Sequence, residues 1–336
     1  MTPPLPDLGP YLDRPFRIGG EQEFNALALE LFHLHAQWNP VYRAYLSALG
    51  DKHRDVRTVR DIPFLPIGMF RSHDVGLEGL VPELVFTSSG TTGTRTSRHL
   101  VAFPEVYERS FMQGFQRVLG PPSEWCILAL LPSYLERQGS SLVHMVERLI
   151  AHSPDPRSGT YGFRYAELAD TLRTLEKEGR RTLLIGVTFA LLDMAEQYPM
   201  PLRNTVIVET GGMKGRREEL VRDALHARLN AAFGPGPIHS EYGMTELLSQ
   251  AWSTGDGTYH CPPWMKVLIR EPNDPFTRPG RGRTGGLDII DLANITSCPF
   301  IGTQDLGRVN DDGGFEVLGR FDHSDLRGCS LMMIDR

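Results

Sequence analysis

Apolar residues recur at helical spacing near the N-terminus, through Phe24, Leu27, Leu31 and Leu34, and a second helix is predicted over 41–49. Residues 61–73 carry Pro63 and Pro66, which predicts an extended loop. Beyond it, short apolar runs alternate with longer amphipathic ones. The predicted strands are 84–87, 99–103, 126–131, 182–187 and 205–209; the predicted helices are 105–119, 141–151, 165–178, 189–198 and 216–233. Such alternation implies a mainly parallel sheet covered on both faces, because each crossover lays a helix against it. After about residue 255, glycine and proline become frequent and helical periods few. There 267–271, 286–290, 300–303 and 315–318 read as short strands, with a hairpin turn at 311–314. The expected fold class is α/β, with mainly parallel sheets, flanking helices and a small β-rich C-terminal subdomain. The expected division is a helical N-terminal region over 1–80, an α/β core over 81–254 and the β-rich subdomain over 255–336.

Composition narrows the picture. The chain has 336 residues, 40% of them hydrophobic, enough for a substantial core. Its net charge of -6 supplies no basic field, so nucleic acid is not an expected partner. Four cysteines, Cys126, Cys261, Cys298 and Cys329, are sparse and include no C-x-x-C pair, which argues against a disulfide framework and a zinc ribbon. Cys126 lies in an apolar strand and reads as core; Cys261 and Cys298 make a metal site with His239 and His260 only if the fold assembles them. The N-terminus shows no basic segment leading into an apolar one, and no run reaches the roughly 18 apolar residues of a membrane span, so a cytoplasmic protein is expected.

The candidate chemistry begins at residues 84–100, LVFTSSGTTGTRTSRHL. A loop of small hydroxyls and glycine between an apolar strand and a basic return turns several N–H and O–H donors toward one anion. It is not a Walker A loop, since no Lys follows Gly90 or Gly93 at the required place. His99 and Arg98 follow the loop, to touch an anion or to cap the strand. In Glu241-Tyr242-Gly243-Met244-Thr245-Glu246, a Tyr beside Gly suits a stacked purine and the later carboxylate suits Mg²⁺; the same residues would also start an ordinary helix. The Gly211–Gly212 pair off a buried strand permits backbone contact with a planar ligand, or makes a plain strand-to-helix turn. Asp305, in GTQDLGR, suits a ribose.

The loop TSSGTTG resembles the phosphate loop of the adenylate-forming enzymes, the superfamily of acyl-CoA synthetases, luciferases and peptide-synthetase adenylation domains. That resemblance implies ATP and Mg²⁺ as cofactors, with Thr87, Ser88, Ser89, Gly90, Thr91, Thr92 and Gly93 on phosphate. It implies Gly211, Gly212, Tyr242 and Gly243 on adenine, Thr245 on the α-phosphate and Glu246 on magnesium. Asp305 would take the ribose, in a segment where Gln304 replaces the usual Gly, and Arg320, within a hinge-like Gly319-Arg320-Phe321-Asp322, would join the adenine- and ribose-binding residues. Full-length relatives place a catalytic Lys after that hinge, whereas this chain has none after Lys266.

Instead the segment after the hinge reads Ser324-Asp325-Leu326-Arg327-Gly328-Cys329. With Asn39-Pro40-Val41-Tyr42, the 63–71 loop and Cys261-Pro262-Pro263-Trp264-Met265, the whole resembles the LuxE-type acyl-protein synthetases of bacterial bioluminescence. That likeness implies activation of a fatty or related carboxylic acid as acyl-AMP, transfer to Cys329 as a thioester, and delivery to a LuxC-like acyl reductase. Chemically the order is sound, because a carboxylate resists thiols until adenylation supplies a leaving group. Read from the residues alone, Cys329 is better explained as an incidental thiol on the tail than as a nucleophile. Two alternatives stay open: transfer to coenzyme A, a carrier-protein thiol or an amine, and a non-catalytic nucleotide-binding subunit.

Overall fold

The computed structural model describes residues 4–50, 55–88, 96–132, 139–211, 220–272, 274, 276–280 and 282–320. The chain divides into two units: one is Glu83–His260, and the other joins Met1–Pro82 with Cys261–Arg336.

In Glu83–His260, the expected parallel sheet is present. Its order is Gly159–Thr160, Cys126–Leu130, Thr182–Val187, Thr205–Thr210, Ile238–Tyr242 and Ala251–Ser253, parallel throughout except for the last strand. Cys126–Leu130 and Thr182–Val187 are buried along their whole length, as strands covered on both faces must be. Helix starts and stops follow local chemistry: the Ser140 hydroxyl accepts from Val143 N at 3.3 Å to open Ser141–Ala151. Gly179, at φ +66°, closes Tyr165–Glu178.

Two expectations change here. Leu84–Thr87 and Arg98–Val101 do not join the parallel sheet; they pair with each other as a separate antiparallel hairpin. The link between them is too short for the crossover that parallel strands need. The helix expected over 216–233 is described as Arg222–Phe233, after an extended Val221.

The second unit holds a five-stranded sheet ordered Leu65–Pro66, Phe300–Val309, Thr284–Asp291, Met265–Arg270, with Phe315–Arg320 also pairing to Phe300–Val309. The hairpin turn expected at 311–314 is closed by Asn310 N donating to Gly314 O at 2.7 Å. Residues 61–73 are not one extended loop: Leu65–Pro66 runs parallel to Ile301–Gly302, and Met69–Ser72 is a short helix. Pro66 is tolerated because its strand lies at the sheet edge.

Asn39, at the junction of helices Glu21–Trp38 and Pro40–Leu49, explains the NPVY segment structurally. Its side-chain oxygen accepts from Tyr42 N at 3.1 Å, capping the second helix, while Nδ2 donates to Ser297 O at 2.7 Å and to His35 Nδ1 at 3.1 Å. His35 Nε2 then donates to Ile295 O at 2.9 Å, and the Tyr42 hydroxyl donates to Pro63 O at 2.6 Å. Burial pushes the His35 pKa down to about 4, so the ring is neutral. Among the described residues, no helix is long and apolar enough to cross a membrane.

Candidate functional site

The base of the phosphate-loop hairpin is clasped by its own residues. Ser88 N donates to Ser97 O at 3.1 Å and Ser97 N donates to the Ser88 hydroxyl at 2.9 Å. Thr87 N donates to Gly139 O at 2.7 Å. Gly139 has φ +82°, and a Cβ there would stand 3.1 Å from Val85 O and 3.2 Å from Thr87 Oγ1, so glycine alone permits the close approach. Ser89, Gly90, Thr91, Thr92 and Gly93 lie outside the described residues.

Thr210 and Tyr242 end two adjacent parallel strands, and the residues just beyond them are Gly211 and Gly243. Gly211 takes φ +67°; Gly212 lies outside the described residues. The buried Tyr242 ring lies 5.7 Å from that of Tyr259, whose hydroxyl receives Arg222 at 2.8 Å. Residues 243–250 form a loop, with Leu247 N donating to Met244 O at 3.1 Å, before the chain returns as Ala251–Ser253. Thr245 and Glu246 therefore sit on a strand-to-strand loop and not at a helix start, and Glu246 is buried.

His99 joins the two loops. It is fully buried on the return strand of the phosphate hairpin, and its Nδ1 lies 2.7 Å from Thr245 O, a residue 146 positions later. A carbonyl only accepts, so Nδ1 carries the proton. Ser110 and Ser249 hydroxyls, 3.0 Å apart, tie the far end of the same loop to the helix Pro104–Leu119.

Two carboxyls stand beneath these strand ends. Glu241 is buried and receives a hydrogen bond from the Thr210 hydroxyl. Burial pushes its pKa up to about 7, against the Thr210 hydrogen bond and with help from the neighbouring Glu209. A Cβ on Gly243 would come within 2.4 Å of Glu241 Oε1, so the glycine makes room for this carboxyl. Glu209 is also buried, 3.1 Å from the Thr188 hydroxyl and 3.8 Å from Arg222 Nε. Sequence reasoning missed Thr188, Glu209, Arg222, Glu241 and Tyr259; the available signal was an acid closing the apolar run TVIVET.

In the other unit, Asp305 N donates to the Thr303 hydroxyl at 3.1 Å, and Arg320 Nε donates to Asp305 Oδ1 at 3.1 Å. Arg270 donates to Thr303 O and Leu287 O and pairs with the fully buried Asp288 at 2.6 Å; Arg278 pairs with the other Asp288 oxygen. Among the described residues, no group of three or more His, Cys, Asp or Glu converges for a metal. Cys126 and Cys298 are buried, and burial pushes their pKa values up to about 11 and about 12. Burial likewise pushes Cys261 up to about 12. Cys329 lies outside the described residues.

No family model and no curated protein matches the chain. Solved structures do. 2-Hydroxyisobutyryl-CoA ligase, in an open conformation with 2-HIB-AMP and CoA, matches with TM-score 0.67 at 13% identity, covering 90% of this chain and 70% of its own. ATP-bound MatB from Rhodopseudomonas palustris matches with TM-score 0.54 at 18% identity, covering 71% of this chain. O-succinylbenzoate coenzyme A synthetase from Bacillus subtilis, with ATP and magnesium, matches with TM-score 0.50 at 18% identity, covering 70% of this chain. The matched region spans about half the length of MatB, 48%. The first and third are named for coenzyme A, a separate molecule, and this overturns the expectation that the acyl group ends on Cys329. The fold of this chain, a mainly parallel sheet with a smaller β-rich part, is that of the adenylate-forming enzymes' N-terminal domain.

Proposed function

We propose that the protein is an adenylate-forming acid ligase: it uses ATP and Mg²⁺ to convert a carboxylic acid to its acyl-AMP, and hands the acyl group to a separate acceptor. The observation that carries this reading is the 2.7 Å contact of His99 Nδ1 with Thr245 O, which ties the phosphate hairpin to the YGMTE loop. Two segments far apart in sequence, each suited to one part of a nucleoside triphosphate, are thereby held together. Solved relatives that carry ATP, magnesium or an acyl-AMP on the same fold support it.

In this reading the phosphate-loop hydroxyls and N–H groups hold the triphosphate, Tyr242, Gly243 and Gly211 receive the base, and Asp305 with Arg320 serves the ribose. Glu246 is a hard oxygen donor, and Mg²⁺ usually binds one or two carboxylates together with substrate phosphates. Bound there, the ion would offset negative charge on the phosphate oxygens. Preorganised donors around the α-phosphate favour attack by the substrate carboxylate and loss of pyrophosphate. The acceptor is coenzyme A or another external thiol or amine. The LuxE-type likeness adds fatty acids as substrates and an acyl reductase as a later consumer.

The test is ATP–pyrophosphate exchange across a panel of carboxylic acids, followed by product analysis with coenzyme A, a carrier-protein thiol and hydroxylamine as acceptors. Acid-dependent exchange with transfer to an added acceptor is expected. ATP binding with no exchange for any acid would instead indicate a nucleotide-binding subunit.

A further inference from the structure

The buried Glu209 is used by no step above. It ends the apolar run of Thr205–Thr210 and is 6% exposed. Its Oε2 lies 3.1 Å from the Thr188 hydroxyl, and the same hydroxyl lies 3.0 Å from Gly211 O. A threonine hydroxyl has one proton, and a carbonyl oxygen can only accept. If Glu209 were ionised, both neighbours of Thr188 Oγ1 would be acceptors and its single proton would have to be shared between them in a weaker three-centre bond. One proton on the carboxyl completes the chain from Glu209 Oε2–H to Thr188 Oγ1, and from Thr188 O–H to Gly211 O.

We infer that Glu209 is a positioning residue that acts in its protonated form, fixing the Gly211 carbonyl through Thr188 and so setting the backbone on which the nucleotide base is to lie. This rests on the adenylation reading. The groups that face Glu209 are consistent with it. Ser240, on the neighbouring strand, stands directly beside Glu209, and Glu241 is the next residue along that strand, opposite Thr210. Burial raises the Glu209 pKa, while Arg222, Ser240 and Thr188 pull it down. Arg222 Nε is 3.8 Å from Oε1, beyond hydrogen-bond reach, and its guanidinium is engaged by the Tyr259 hydroxyl at 2.8 Å. His226, on the same helix as Arg222, is kept toward its neutral form by burial and by that guanidinium. The crossover from strand Thr182–Val187 through helix Thr188–Gln197 brings Thr188 beside Gly211.

The experiment has two readouts on Glu209→Gln, Glu209→Ala, Thr188→Val and Thr188→Ser. In infrared difference spectra, Glu209→Gln is expected to lose one protonated-carboxyl C=O band that shifts in D2O; no lost band overturns the inference. In calorimetric ATP titrations, Glu209→Gln and Thr188→Ser keep a donor in place and are expected within about twofold of the parent, whereas Glu209→Ala and Thr188→Val weaken binding about tenfold, the worth of one buried hydrogen bond. If Glu209→Gln is as weak as Glu209→Ala, the carboxylate serves Arg222 as an ionised partner and the relay is wrong. If thermal melting shows that Thr188→Val does not fold, the contrast between Glu209→Gln and Glu209→Ala still decides the test. A parent protein that shows the band but binds no ATP keeps the protonated carboxyl and discards the adenylation reading, so the two failures are distinct.

Discussion

Each unit buries carboxyl groups, and the two solutions are opposite. Asp288 stands between two guanidiniums, Arg270 at 2.6 Å and Arg278, so its negative charge is matched even though burial alone would push its pKa up. Glu209 and Glu241 lie on adjacent strands with hydroxyls as their hydrogen-bond partners and one more distant cation. Arginine keeps its proton under all ordinary conditions, which makes the first arrangement a fixed girder. Hydroxyls and carboxyls redistribute protons, which makes the second one sensitive to pH. The girder lies behind Thr303 and Asp305; the titrating pair lies beneath Gly211 and Gly243.

The largest way to break this contrast is Arg270→Met, which leaves Asp288 short of one partner at a fully buried position. A loss of about 3–5 kcal/mol in urea denaturation is expected, as for other half-broken buried pairs. Next comes the pH dependence of the other pair. Folding raises the Glu241 pKa from 4.5 to about 7, so between those values the folded state holds a proton that the unfolded state has released. Stability is therefore full below the unfolded value and falls as pH rises through the folded one, by roughly 3 kcal/mol in total. Glu241→Gln is expected to flatten that slope in melts recorded from pH 4 to 8; an unchanged slope would show that Glu241 does not carry it.

Two glycines sharpen the comparison further. A Cβ on Gly286 would stand 2.7 Å from the Arg270 guanidinium carbon, and one on Gly243 would stand 2.4 Å from Glu241 Oε1. Each alanine substitution is expected to cost about 1–3 kcal/mol by overpacking. Gly286→Ala should be the worse, because Arg270 is pinned by three acceptors while Glu241 has one described hydroxyl donor. The smallest effect belongs to Arg320→Ala. Its side chain is 77% exposed, so the loss in thermal stability is expected to stay under about 1 kcal/mol. A substantially larger loss would place Arg320 in the girder.

The sequence made the frame legible wherever local signals agreed. The run TLLIGV between amphipathic helices announced a covered parallel strand, and hydroxyls with glycine between two short strands announced the phosphate loop. It does not reveal which strands pair: Leu84–Thr87 and Arg98–Val101 read as members of the parallel sheet, yet they pair with each other. The pairing of Leu65–Pro66 with Ile301–Gly302 was equally invisible, since its partner is more than two hundred residues away. The Thr188–Glu209–Gly211 cluster depends on a crossover, and the Arg270–Asp288 pair on a register that shifts between Gly286 and Asp288. Neither leaves a spacing that can be read off the chain. The role of Cys329 is not legible for a different reason: a cysteine after a hinge motif has the same sequence whether or not it accepts an acyl group.

The tether of Asn39 to Ser297 also sets an order of assembly. Its two ends lie 258 residues apart, and Glu83–His260 is synthesised between them. On the ribosome, helices Glu21–Trp38 and Pro40–Leu49 emerge long before the loop residues Ile295 and Ser297 that bond to them, whereas every strand of the parallel sheet is complete once residue 253 has been made. The inserted unit is thus the first whose strands are all present, and the N-terminal helices must wait for a loop closed across it. A released chain that stops within Thr284–Asp291 would hold every strand of the parallel sheet but neither Ile295 nor Ser297 for its N-terminal helices to bond.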